Sequence, residues 1–193
     1  LDYTQSPFEK QLVTYPRTDS RYLTEAAAPV LKQLVPAVTT LFYVSGEVAL
    51  NTEQVINNKK VSDHHAIIPT STVASVNLEA LPKGEQEILR LISIRLLAAV
   101  GEPYRFVETT VTAECAGEVF TSKGKAVLSD GWKGTVNQFF PEKTISERTV
   151  PDTETDAVFP VTKAEIKEGK TTPPKHFTED LLHPVEISDV ALE

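Results

Sequence analysis

The residues from Thr14 to Leu23, Thr-Tyr-Pro-Arg-Thr-Asp-Ser-Arg-Tyr-Leu, concentrate the side chains most able to do chemistry in this chain. Pro16 disfavours the helical region for Tyr15 and biases that residue toward extended backbone. In an extended strand, residues two apart project to one face about 6–7 Å from each other, so Tyr15 and Arg17 are expected to face together. A phenol with a pKa of about 10 is a poor nucleophile at neutral pH. A guanidinium beside it stabilises both the phenolate and the charge that builds on a phosphate under attack. The chemistry open to such a pair is attack on phosphorus, leaving a phosphotyrosine that keeps the energy of the broken ester for resealing. On these three residues alone, a surface turn with a half-buried ring is the commoner outcome.

A second loaded stretch is Val61 to Thr70, Val-Ser-Asp-His-His-Ala-Ile-Ile-Pro-Thr. Asp63-His64-His65 invites a metal site, yet adjacent side chains diverge by roughly 100° on a helix or 180° on a strand and rarely share one ion. A satisfied, partly buried histidine pair is the better structural reading, and no metal ligand is assigned. An imidazole near its pKa can instead donate to a phosphate oxygen, which in turn stabilises the imidazolium. A third stretch, Thr172 to Leu182, reads as an extended proline-rich linker capped by Thr178 before a helix.

Gln11 to Leu23, Asp63 to Thr70 and Thr172 to Leu182, with Phe120 to Trp132 between them, resemble segments of the type IA DNA topoisomerases, the topoisomerase III branch in particular. The resemblance implies that Tyr15 is the nucleophile taking the 5′ phosphate of a cleaved single strand and that Arg17 positions and neutralises that phosphate. It implies that His64 approaches the DNA backbone beside the tyrosine, that Thr18, Asp19 and Ser20 shape the site, and that Arg21, His65 and Thr70 are further DNA-binding positions. Arg17, Arg21, Lys59 and Lys60, with Tyr22 as a stacking face, could hold a single strand electrostatically. The implied partners are single-stranded DNA and the remaining domains of a parent enzyme in the cytoplasm, with no membrane. The family's Mg2+ site is an acidic cluster in a Toprim-type domain, and no Asp-x-Asp arrangement appears in this chain. Mg2+ is therefore expected in the full enzyme, on ligands outside this chain, and complete DNA relaxation by this chain alone is not expected. After Leu182 the family's usual continuation is replaced by the tail His183 to Glu193. Two other readings are a catalytically silent DNA-binding or interaction module with the same fold, and a tyrosine recombinase. The recombinase needs several arginines and a histidine around its nucleophile, and no second match to that constellation is found.

These side chains need elements to position them. Residues 84–100 place Ile88, Leu91, Ile92, Leu96 and Ala99 at helical spacing, with Glu85 and Glu87 in the first turn and Gly101 as a stop, which predicts a helix. A second helix is expected from Thr24 to Leu41, kinked or broken at Pro29 and Pro36, and a short one from Thr52 to Asn57 with Thr52 as N-cap. Beyond Gly101-Glu102-Pro103 the period becomes two: Val107, Thr109, Val111, Ala113 and Cys115 predict a strand. A turn at Gly117-Glu118, strands at Val119–Ser122 and Ala126–Leu128, a turn at Asp130-Gly131, a loop over 141–157 and a strand near Ala157–Glu168 follow. The expected fold class is α+β. A helical tyrosine-bearing domain over 1–104, winged-helix-like by the resemblance, precedes a small antiparallel β domain over 105–182 and a tail over 183–193. The family's β domain also uses chain from before the tyrosine domain, so the resemblance implies a sheet short of strands, with an exposed edge.

Composition sets the outer bounds. With 193 residues, 40% hydrophobic and 24% charged, the chain suits one generous or two small packed domains and not a disordered or fibrous polymer. No apolar run approaches the roughly 20 residues needed to cross a bilayer, and no basic-then-apolar leader opens the sequence. The single Cys115 forms no internal disulfide and suits a reducing cytoplasm. The net charge of -8 argues against a broad electrostatic footprint for nucleic acid. It is segregated, however: residues 1–105 hold 10 basic and 11 acidic side chains, net -1, and residues 106–193 hold 9 and 16, net -7. A local basic groove is therefore compatible with the first part. The chain opens Leu1-Asp2-Tyr3 and has no Met, where about four are ordinary, so it is expected to be a piece of a longer protein.

Overall fold

The computed structural model describes residues 2–141, 150, 154–166 and 168–174. The chain divides into two units, Leu1–Pro151 and Asp152–Glu193. The first is α+β as expected, with helices followed by one antiparallel hairpin. Its helices are α1 (Asp2–Glu9), α2 (Ala28–Leu41), α3 (Lys83–Val100) and α4 (Gly131–Asn137), and its strands are β1 (Arg105–Cys115) and β2 (Glu118–Ser129). Short 3-10 turns at Glu25–Ala27, Thr52–Gln54, Asn58–Lys60, Ser71–Ser75 and Leu78–Ala80 carry the long connections.

α1, at eight residues, is too short to show a period and is not among the expected elements. Its end is set by backbone: the Leu12 amide donates to the Pro7 carbonyl at 2.8 Å and the Gln11 amide to the Phe8 carbonyl at 2.8 Å, with Gln11 at φ 58°. This pairing is a Schellman stop, in which the left-handed position suits glycine. Gln11→Gly is expected to stabilise the unit by about 0.5–1 kcal/mol, read as a raised urea midpoint with an unchanged m-value.

α2 begins after a separate 3-10 turn rather than at Thr24 and runs unbroken through Pro36. Pro29 sits in its first turn, where a missing amide costs no helical bond. Buried Leu31, Leu34, Val35 and Val38 repeat at helical spacing and hold the helix to the core despite Pro36. The expected helix over Thr52–Asn57 shrinks to the turn Thr52–Gln54, with Asn51 rather than Thr52 at the cap.

α3 matches the predicted range, but of the stripe whose spacing marks it in the sequence only Leu96 is buried. Glu85, Leu89, Ser93, Leu96, Leu97 and Val100 point inward, whereas Leu91 is 38% exposed and Ala99 is exposed. Both stripes are rich in apolar residues, and the one that faces the core contains two polar residues that disguise it. Glu85 is admitted because the Lys10 ammonium reaches its carboxylate oxygens at 2.6 and 2.8 Å and the Ser6 hydroxyl donates at 2.8 Å. The Lys10 hydrogen bond is the main cause holding the Glu85 carboxyl below its usual range, against the opposite push of burial. The folded carboxyl being the stronger acid, its stabilising effect is complete above the ordinary glutamate value of about 4.3 and is lost as pH falls through the lower folded value. Lys10 is half-exposed, so Lys10→Met is expected to cost a modest amount, about 1–2 kcal/mol at neutral pH, and to flatten the acid limb of stability below about pH 4.3. Urea titrations across that range check both.

β1 and β2 form a single two-stranded ladder from Cys115↔Glu118 to Arg105↔Ser129, with an irregularity at Arg105/Phe106. Ala116 and Gly117, both at positive φ, make the reversal, one residue before the expected turn. The two expected strands Val119–Ser122 and Ala126–Leu128 are one strand, because Lys123-Gly124-Lys125 stays in register opposite Thr110, Thr109 and Glu108. The expected turn at Asp130-Gly131 instead opens α4.

In the second unit no strand forms among the described residues, so the one expected at Ala157–Glu168 is absent there. Val158 and Ile166 are 94% and 97% exposed. Extended chain becomes a strand only when a neighbour completes its ladder, and no described residue of this unit does. Most of the loop expected at 141–157, the residues after Pro174 and the tail 183–193 lie outside the described residues.

Candidate active site

The tyrosine segment is pinned at both ends to the histidine segment. At its start the Thr14 amide donates to the Ile68 carbonyl (2.9 Å), the Ile68 amide to the Thr14 hydroxyl (3.0 Å) and the Thr70 amide to the Leu12 carbonyl (3.0 Å), with an antiparallel bridge at Val13↔Pro69. At its end the Leu23 amide donates to Val55 (2.8 Å), Asn57 to Leu23 (2.9 Å) and Ala66 to Tyr22 (2.9 Å). Val13 and Leu23 are fully buried, so both anchors are also hydrophobic. Between them the chain is an arch with a bend at Pro16, not the regular strand expected from the proline.

The arch is held from beneath by hydroxyls. The Thr18 hydroxyl donates to the His64 carbonyl at 2.8 Å and accepts from the Ser20 amide at 3.1 Å. The Ser20 hydroxyl donates to the Lys60 carbonyl at 2.8 Å and accepts from the Tyr22 amide at 3.1 Å. Satisfying these backbone groups fixes the arch without regular secondary structure.

On this frame the Tyr15 ring is half-buried between two others. Phe8 of α1 meets it edge-on at 5.4 Å between centroids, and His64 lies against it at 4.3 Å with a 41° tilt. Among the described residues no hydrogen bond engages the Tyr15 hydroxyl. Beside His64 opens a cleft of about 680 Å³ lined by Pro16, Arg17, Thr18, Asp19, Ser62, Asp63 and His64. Arg17 is exposed there, and among the described residues its guanidinium has no ion-pair partner. His64 thus touches the phenol on one side and lines the guanidinium's cleft on the other.

The remaining expected residues are placed differently. Ser20 and Thr18 spend their hydroxyls on backbone. Thr70 donates to the Gln11 carbonyl and accepts from the Thr72 amide, capping the 3-10 turn Ser71–Ser75. His65 is half-buried, its Nδ1 2.7 Å from the Ala66 carbonyl, so its ring braces its own loop. Arg21 is exposed and carries no ion pair among the described residues, and Lys60 lies over the Tyr22 ring at 4.7 Å with its ammonium 3.3 Å from the phenol oxygen. Sequence reading missed Phe8, which lies on the unforeseen α1, and left Ser62 and Asp63 without a role, although they sit in the motif quoted for His64. Among the described residues no three His, Cys, Asp or Glu side chains converge as a metal-binding group, so the cleft offers no donor set that fits the expected Mg2+.

A family model described as DNA topoisomerase matches residues 1–184. Among curated proteins, DNA topoisomerase 3 of Bacillus licheniformis is 38% identical over 192 residues, covering 94% of this chain and 26% of that protein. DNA topoisomerase 3 of Bacillus subtilis is 34% identical over 192 residues, and that of Staphylococcus aureus strain MRSA252 is 36% identical over 189, each with the same coverage. The chain spans about a quarter of the length of these relatives.

Proposed function

The chain belongs to the DNA topoisomerase family, and from that premise we propose that it is the tyrosine-bearing part of a type IA enzyme that cuts, passes and reseals single strands of DNA without ATP. The observation that carries the reading is the contact of the Tyr15 and His64 rings beside the Arg17 cleft. In this reading the Tyr15 oxygen attacks a backbone phosphorus, the bond from phosphorus to the 3′ oxygen breaks, the phenol loses its proton and the departing 3′ oxygen gains one. Attack by that 3′ hydroxyl on the phosphotyrosine reverses every bond and reseals the strand. Arg17 meets the non-bridging phosphate oxygens as a charge-assisted, fork-shaped donor. His64 holds the ring through its tilted contact and presents a second donor to the same phosphate. Thr18, Ser20 and Thr70 act by holding the arch and its partner loop, while Asp19, Arg21 and His65 stay secondary contacts to the strand. Mg2+ and the Toprim acids, when present in the parent enzyme, supply electrostatic stabilisation to the leaving group, and the isolated residues 1–193 are expected to bind DNA without relaxing it. The expected compartment is the cytoplasm. The half-buried ring, not sealed in the core, favours this reading over a silent module.

Strand binding tests it directly. Anisotropy of a labelled single strand is expected to report an affinity that falls steeply with added salt, and Arg17→Ala is expected to weaken binding by about tenfold and to lower the salt slope by about one. Flat salt dependence, or binding indifferent to Arg17→Ala, would count against the cleft as a phosphate site.

A further inference from the structure

At the root of the hairpin a second set of rings and cations converges. Lys125 of β2 places its ammonium 4.1 Å from the centroid of Phe106 and 4.5 Å from that of Tyr104, whose rings are 5.5 Å apart. Lys133 of α4 lies 4.8 Å from the Tyr104 centroid and 5.9 Å from that of Trp132. The cluster is built from the lead-in to β1, both strands and α4. It is held by the Trp132 amide, which donates to the Glu102 carbonyl at 2.8 Å.

The charge arrangement is informative. Strand register sets Lys125 directly opposite Glu108, yet the Glu108 carboxylate pairs diagonally, with Lys123 at 3.9 Å. Among the described residues the Lys125 ammonium is left with no carboxylate and faces only aromatic rings. Phe106 is 46% exposed, so an apolar ring surface stands open beside a cation. An exposed ring flanked by two partly buried ones, interleaved with ammonium groups, suits one ligand chemistry particularly well: bases stack on the rings and the flanking phosphates meet the cations. An acidic peptide would use the cations but leave the ring faces unfilled.

We infer that the Tyr104, Phe106, Lys125, Trp132 and Lys133 cluster is a second single-stranded nucleic-acid contact, separate from the Tyr15 cleft. The inference takes its ligand class from the strand-binding reading above, but no residue of the cleft takes part in it. Two contacts on one chain would let it grip a strand at a point away from the one where Tyr15 acts.

Trp132 is the one tryptophan in the 193 residues, so its emission reports this cluster alone. Short oligothymidylates of about four to six nucleotides, the span of one small stacking site, titrated into residues 1–193 are expected to quench it saturably. Phe106→Ala and Lys125→Ala should each raise the quenching midpoint by about tenfold, Lys125→Arg should restore it, and Arg17→Ala should leave it unchanged. Far-UV circular dichroism verifies that the variants keep their fold. Quenching absent while anisotropy still reports Arg17-dependent binding overturns the inference and leaves the cleft intact. Equal quenching by polyglutamate overturns it in favour of an acidic protein ligand, and a midpoint indifferent to Lys125→Ala overturns it outright. Loss of Arg17 dependence in anisotropy, with quenching retained, instead removes the cleft reading and keeps this contact.

Discussion

Tyr15→Phe in the parent enzyme is expected to reduce covalent protein–DNA adduct below detection while changing single-strand affinity by less than about twofold, since the stacking ring survives. The substitution removes one oxygen and nothing else. That oxygen makes no hydrogen bond among the described residues, so its loss leaves no buried partner stranded. The ring keeps its edge-on contact with Phe8 and its tilted contact with His64. Tyr15→Ala, by contrast, would also remove that packing and about 0.5–1.5 kcal/mol beyond the area buried, confounding chemistry with shape. The measurement is a strand labelled at its 3′ end, mixed with parent enzyme and denatured. A tyrosine linked to the 5′ phosphate retains the downstream piece, so 3′ label stays with protein and 5′ label is released. Label retained by Tyr15→Phe removes Tyr15 as nucleophile; 5′ label retained by the unsubstituted enzyme reverses the polarity of the cut.

The types of residue that could do this chemistry were legible from the sequence, and their mutual placement was not. Tyr15, Arg17 and His64 stood out by composition and neighbours. The bonds that bring the tyrosine and histidine segments together join residues 46 apart, Thr18 to His64, and 54 apart, Thr14 to Ile68. No periodicity spans such a gap. Strand-type pairing of this segment occurs only at the anchoring bridges, since an arch tied down by hydroxyls needs no ladder. α3 was legible as a helix because its apolar content is high on several sides. Its inward face is not legible for the same reason, and the deciding residue is Glu85, which reaches the core only through a lysine 75 positions away. β2 was split in two by Lys123-Gly124-Lys125, a triplet that reads as a break locally and is tolerated because Gly124 has Thr109 opposite it in register.

Gly131→Ala is the substitution expected to damage the fold most. Gly131 opens α4 at φ 45°, where an added Cβ would lie 2.3 Å from the Pro103 carbonyl oxygen and 2.5 Å from that of Glu102. Both obstacles are backbone and neither can swing aside. The Glu102 oxygen is also the acceptor that holds the Trp132 amide, so relieving the clash by moving the lead-in to β1 breaks the hydrogen bond that docks α4. Left-handed strain of about 1–2 kcal/mol and overpacking of about 1–3 kcal/mol add, giving an expected loss of about 2–5 kcal/mol. Gly117→Ala isolates the first contribution: it has φ 83° but nothing within 4 Å of the added carbon, so only the backbone cost of about 1–2 kcal/mol applies. Urea unfolding of both variants separates steric from conformational cost. Equal losses would mean that the approach of Glu102 and Pro103 to α4 is not rigid. A larger loss at Gly131 accompanied by red-shifted Trp132 emission would tie the stability of this corner to the same backbone contact that assembles the ring-and-lysine cluster beside it.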